Sequence, residues 1–113
     1  MVSFLKRILY RSIENNRDIS YKDLKSLMKN KYIILIDVRS GQEYEEGHLD
    51  GAINIPVYNI EKEISKYVKS KEDTIILYCS SGSRSKQAKE ILEKLGYSEV
   101  YNLKEGIEKI WIK

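Results

Sequence analysis

The chain reads as an α/β domain with a central, mainly parallel sheet and helices on both faces. Three observations predict this class. Strand-like apolar runs alternate with helical patterns along the 113 residues. Two of the runs, Tyr32 to Asp37 and Thr74 to Tyr78, are almost continuously apolar, as in strands buried on both faces. Each run delivers chemistry-bearing residues at its C-terminal end, the edge where open α/β sheets bind ligands. Asp37 and Arg39 follow the first, and Cys79 follows the second.

Composition bounds the function. The length suits one domain with a single core. Apolar content of 42% and charged content of 33% belong to a globular chain. A formal charge of +3, evenly spread, gives no basic stripe for nucleic acid. The single cysteine excludes an internal disulfide framework and fits a reducing compartment, so a cytoplasmic location is expected. No apolar run approaches a membrane span. The start, Met1 to Arg7, lacks an early basic region followed by a long apolar core, so no signal peptide is expected. Neither a cofactor nor a metal is expected.

The elements follow in order. Residues 1–17 read as an N-terminal amphipathic helical extension. Val2, Phe4, Leu5, Ile8, Leu9 and Ile13 approximate one face, with Lys6, Arg7 and Arg11 around it. That face suits packing on its own domain; lying on a membrane or a partner is the competing use. Residues 18–113 form the domain proper. Ile19 enters a short first strand. Ser20-x-x-Asp23 opens a helix that buries Leu24, Leu27 and Met28 and ends at Lys29 to Lys31. The strand to Asp37 comes next. Ser40 to Glu46 is a short helix stopped by Gly47. A turn-rich connection holds a short strand near Ala52-Ile53. Asn59 caps a helix whose face is Ile60, Ile64, Tyr67 and Val68. The strand to Tyr78 precedes a helix with Ala88, Ile91, Leu92 and Leu95 on one face, ended by Gly96. Val100 to Leu103 is the last strand, and residues 105–112 the last helix.

The chemistry concentrates in the stretch Cys79-Ser80-Ser81-Gly82-Ser83-Arg84-Ser85. A cysteine between a strand and a helix N-terminus sits in a field that favours its thiolate. Small Ser and Gly residues let successive backbone N–H groups curl inward around an anion, and Gly82 supplies the positive φ such a turn needs. No acidic residue lies between Cys79 and Lys89. Arg84 and Lys86 occupy the first helical turn instead, where cations oppose the macrodipole by roughly 0.3–1 kcal/mol each. A bound anion explains that placement; a buried core thiol with both cations in solvent is the plain alternative. His48, the sole histidine, reads as a structural side chain bonded between loops, because a catalytic base would have to reach Cys79. Arg39 is a weaker anion contact than Arg84; an ion pair with a nearby acid such as Glu43 is its competing role.

These residues carry a family resemblance. Cys79-Ser80-Ser81-Gly82-Ser83-Arg84 resembles the Cys-x-x-Gly-x-Arg active-site loop of rhodaneses, the thiosulfate sulfurtransferases. A second block agrees: Asp37-Val38-Arg39, Glu43-Tyr44, Gly47-His48, Gly51-Ala52 and Asn54-Ile55-Pro56. The blocks lie in the family's order, and the resemblance runs from about residue 18 to the C-terminus. Ser80 stands where many members carry Arg, which removes one anion contact. Glu105-Gly106, with Trp111 displaced by one residue, stands for a terminal Gly-Gly-x-x-x-Trp. The resemblance implies the rhodanese-like fold over residues 18–113, with a five-stranded sheet and Asp37 and His48 as structural residues near the site.

It also implies sulfur transfer through a persulfide on Cys79. The donor is a small anion such as thiosulfate, and the acceptor is a thiol or cyanide; a sulfur-relay protein is a further candidate partner. Ser80 to Ser85 hold the negative charge by their N–H groups, and Arg84 takes the donor's sulfonate. Cysteine-dependent phosphatases and arsenate reductases share the thiolate–arginine logic but resemble one another in Cys-x5-Arg, whereas four residues separate Cys79 from Arg84 here. A partner-specific sulfur carrier or binding module of the same fold is the remaining alternative.

Overall fold

The computed structural model describes residues 4–13, 15–30 and 32–111, and the side chains of all these except Phe4, Leu5 and Trp111. Val2 of the expected N-terminal face, Lys31 at the expected end of the second helix, and Ile112 lie outside the described residues, as do the three excepted side chains. Strands β1 (Asp18–Ile19), β2 (Ile34–Asp37), β3 (Ile53–Asn54), β4 (Thr74–Tyr78) and β5 (Glu99–Leu103) form one sheet in the order β1-β5-β4-β2-β3. Every pairing is parallel. β4 is central, with Ile76 beside Leu35 of β2 and Tyr101 of β5.

Alternation along the strands divides the interior into two cores. Ile75, Leu77 and Cys79 face α4 (Ile60–Tyr67) and α5 (Ser83–Lys94), packing with Ile60, Ile64, Ala88 and Leu92. Ile76 and Tyr78 face the other way, toward Ile8 of α1 (Phe4–Ile13) and Leu24 and Leu27 of α2 (Tyr21–Leu27). Each fully buried Leu or Ile contributes roughly 1.5–3 kcal/mol relative to exposure. Ile8 is buried, so α1 packs on its own domain; Tyr10 and Ile13 on the same helix remain exposed.

Local signals explain most boundaries. The Ser20 hydroxyl accepts the Asp23 N–H at the start of α2. Ser40 and Glu43 complete a reciprocal capping box at α3 (Gly41–Glu46). Three expectations need correction. Asn59 gives no side-chain cap to α4, because it ends a 3₁₀ turn (Val57–Asn59) and already has helical backbone. Tyr67 is 43% exposed; Val68 carries the buried contact at that end of the helix. The last helix, α6, spans only Glu108–Trp111. Residues 104–107 turn instead, through Gly106 at φ +72°, and this turn docks on the cysteine loop: the Ile107 and Glu108 N–H groups donate to the carbonyls of Cys79 and Ser80, each at 3.0 Å.

Candidate active site

Cys79 leaves the C-terminal end of β4, and α5 begins at Ser83. The connecting loop is short, and Gly82 makes its turn at φ +100°. A Cβ on Gly82 would stand 2.7 Å from the carbonyl oxygen of Lys104, so the position excludes any side chain on two grounds. The result is a ring of donors around sulfur. The Gly82 N–H donates to Sγ at 3.1 Å and the Ser85 N–H at 3.3 Å. The Ser85 hydroxyl lies 3.4 Å from Sγ and 3.2 Å from the Gly82 carbonyl, so it can bond either. Cys79 and Ser85 are fully buried. Donors placed before any ligand arrives need no reorganisation to hold charge on sulfur or on an atom attached to it.

Ser80 and Arg84 form the loop's second layer, and they meet a residue from elsewhere. Glu43 at the N-terminus of α3 accepts from Arg84 Nη1 at 2.6 Å and from Nη2 at 3.0 Å, a bidentate pair. The Ser80 hydroxyl lies 3.4 Å from both Glu43 Oε2 and Arg84 Nη2. The bonds from Arg84, foremost, and those from Ser40 hold the Glu43 carboxyl down at about 2, against the opposing effect of burial. The same pair raises the pKa of Arg84. Sequence reasoning offered Glu43 as a partner for Arg39 and found no acid near Arg84. The structure exchanges the partners. The signal that could have found Glu43 is its capping box with Ser40, which fixes the carboxylate at the sheet edge where the cysteine loop emerges.

Arg39, at the end of β2, is 4% exposed. Its Nε and Nη2 donate to Asp37 at 2.7–3.1 Å, and Nη2 also donates to the Gly47 carbonyl at 2.6 Å. Burial opposes its charge, yet the bonds to Asp37 outweigh that and its pKa rises. Asn54 adds bonds to the carbonyls of Asp37 and Arg39, both at 3.0 Å. His48 is exposed; its ring stacks on Tyr44 at 3.7 Å and its Nδ1 lies 2.9 Å from the Tyr44 carbonyl. It therefore braces its own segment rather than bridging two loops. Tyr78, directly before the cysteine, is fully buried and its hydroxyl accepts the Leu49 N–H at 3.0 Å. Burial pushes its phenol upward, so it stays neutral. Among the described residues no group of three or more His, Cys, Asp or Glu gathers to hold a metal ion.

The rhodanese-like domain family matches residues 20–113. The chain belongs to the rhodanese-like family. A rhodanese-like relative, the thiosulfate sulfurtransferase PspE of Escherichia coli K12, is 46% identical over 67 residues, covering 59% of this chain and 64% of PspE. The putative sulfur carrier protein YrkF of Bacillus subtilis 168 is 34% identical over 73 residues, covering 65% of this chain and 38% of YrkF. The chain thus spans less than two thirds of the length of these two relatives. Among solved structures, the human single-domain sulfurtransferase TSTD1 superposes with a TM-score of 0.73 at 27% identity, covering 86% of this chain and 97% of that one. Sulfurtransferases and sulfur carriers are therefore among this chain's relatives. No helix among the described residues is long and apolar enough to cross a membrane.

Proposed function

We propose that this chain is a sulfurtransferase that moves sulfane sulfur through a persulfide on Cys79. The observation that carries the reading is the pair of backbone N–H groups, from Gly82 and Ser85, already aimed at Sγ. The Cys79 thiolate attacks the outer sulfur of a donor such as thiosulfate. A bond forms between the two sulfurs, the donor's own S–S bond breaks, and sulfite leaves with that electron pair. The terminal sulfur remains on Cys79 as the persulfide anion. A thiol or cyanide then attacks the terminal sulfur, and the thiolate returns.

The loop N–H groups from Ser80 to Ser85 hold the negative charge through both half-reactions. Arg84 faces the incoming donor, and Asp37 and Arg39 keep the sheet edge in place behind the loop. The name of PspE supports thiosulfate as a usable donor, and that of YrkF keeps a protein acceptor in view. A reducing compartment such as the cytoplasm suits a cycle run on one thiol. The loop length argues against phosphoryl transfer. Four residues separate Cys79 from Arg84, and the N–H groups of Gly82 and Ser85 already point at one sulfur atom, which suits a single bound sulfur better than a tetrahedral group with three oxygens to hold.

The test is thiocyanate formation from thiosulfate and cyanide by wild type and Cys79→Ser, alongside hydrolysis of an aryl phosphate. Turnover by wild type alone, with no phosphate release, is the expected result. Thiocyanate formed equally by both proteins, or phosphatase turnover without it, overturns the proposal.

A further inference from the structure

The arginine at the mouth of the site is not a lone cation. Glu43 matches its charge through two bonds, at 2.6 and 3.0 Å. The neighbouring groove beside Ser80 and Ser81, about 490 Å³, is balanced too, with Lys104 and Lys109 set against Glu105 and Glu108. Lys109 lies 3.7 Å from Glu105. The charge on donors decides what this balance means. A thiolate attacking thiosulfate brings a monoanion against a dianion, and charges of one sign must converge on one buried sulfur. A thiolate attacking an alkyl persulfide meets a group that is at most singly charged. It bonds to the outer sulfur, the persulfide's S–S bond breaks, and an alkyl thiolate leaves with the electron pair. An uncompensated arginine favours the first donor strongly; a compensated one removes much of that advantage.

We infer that Glu43 is a specificity-setting residue, which offsets Arg84 and tunes the site toward donors of low charge, persulfides of thiols, over dianionic thiosulfate. This rests on the persulfide reading above. Glu43 does not touch the reacting sulfur; it acts through Arg84, and through Ser80, whose hydroxyl lies 3.4 Å from both. Its place in the capping box of α3 holds the carboxylate against Arg84.

The test reads charge discrimination at Cys79 directly. Alkylation rates with iodoacetate, an anion, and iodoacetamide, its neutral analogue, are followed by intact mass for wild type, Glu43→Gln, Arg84→Gln and the double variant. The iodoacetate-to-iodoacetamide rate ratio should rise about threefold or more in Glu43→Gln, the scale of one uncompensated charge several ångströms away in a largely aqueous mouth. It should fall in Arg84→Gln and return near wild type in the double variant. A parallel comparison uses thiosulfate and the persulfide of N-acetylcysteine methyl ester. Glu43→Gln should lower KM for thiosulfate and leave the persulfide's KM nearly unchanged.

An unchanged ratio in a folded Glu43→Gln, or equal slowing with both alkylating reagents, would reduce Glu43 to a structural brace and overturn the inference. Because alkylation needs no sulfur transfer, the ratio decides the role of Glu43 even if no donor loads Cys79, an outcome that would overturn the persulfide reading alone.

Discussion

Two arginine–carboxylate pairs stand at the same sheet edge and differ in nearly every physical respect. Asp37 and Arg39 are two residues apart, with side chains 0% and 5% exposed. Glu43 and Arg84 are 41 residues apart, with side chains 32% and 37% exposed. The first pair is enclosed by backbone, with Gly47 taking a further Arg39 donor and Asn54 bonding the adjacent carbonyls. The second is open to solvent and joins α3 to the cysteine loop. Burial makes a charge pair obligatory, since neither member can be left alone in a low-dielectric interior. Exposure makes it adjustable. The edge of this sheet therefore has a fixed pair and a tunable pair.

The largest effect should come from breaking the fixed pair. Asp37→Asn removes the charge of the carboxylate that the Arg39 guanidinium bonds, and breaking a buried pair costs about 3–5 kcal/mol. Denaturant unfolding should show that loss, and a change below about 1 kcal/mol would mean that this pair, too, behaves as a surface pair.

A smaller effect is expected where the turn after β5 meets the loop. A Cβ on Gly106 would stand 2.2 Å from the Ser80 carbonyl oxygen, at a φ of +72° that suits glycine. Gly106→Ala should cost about 1–3 kcal/mol through the clash and the left-handed backbone. It should also slow sulfur uptake, because the turn must lift off Ser80. Full activity in a destabilised protein would separate this docking from loop geometry.

The tunable pair should respond least in stability. Solvent screening limits the Glu43–Arg84 pair to about 0–1 kcal/mol. Its pH dependence has a definite sign. Glu43 titrates at about 2 in the fold, against an ordinary 4.5, so the fold favours its ionised form. That contribution is complete above the ordinary value and is lost as pH falls through about 2. The Tm difference between wild type and Glu43→Gln should be small and flat near neutrality and shrink below the ordinary value. A difference that grows on acidification would reverse the assignment.

The contrast between the pairs also marks how far the sequence could be read. Cys79 to Ser85 is local: strand end, turn glycine and helix start lie within a few residues, and local chemistry dictates their geometry. The continuous apolar runs of β2 and β4 gave the buried strands for the same reason. Asp37 and Arg39 are equally close in sequence, yet the sequence offered Arg39 to Glu43, because spacing alone does not say which carboxylate the guanidinium turns to. Glu43 and Arg84 meet only because β2 and β4 are neighbours in the sheet, and strand order is a property of the whole chain. The early part of the expected last helix fell to a similar cause. Glu105 to Ile107 turn instead, and the N–H groups of Ile107 and Glu108 dock on the carbonyls of Cys79 and Ser80, partners that no helical pattern reveals.

Sulfur transfer through a persulfide requires the donors around Sγ to hold a sulfur atom on Cys79. Intact mass of the full chain after thiosulfate, then after a cyanide chase, tests this most directly. The predicted result is a gain of one sulfur atom that cyanide removes and that Cys79→Ser never acquires. An unchanged mass with thiosulfate and with an alkyl persulfide alike, from a folded protein with a free thiol, would contradict it.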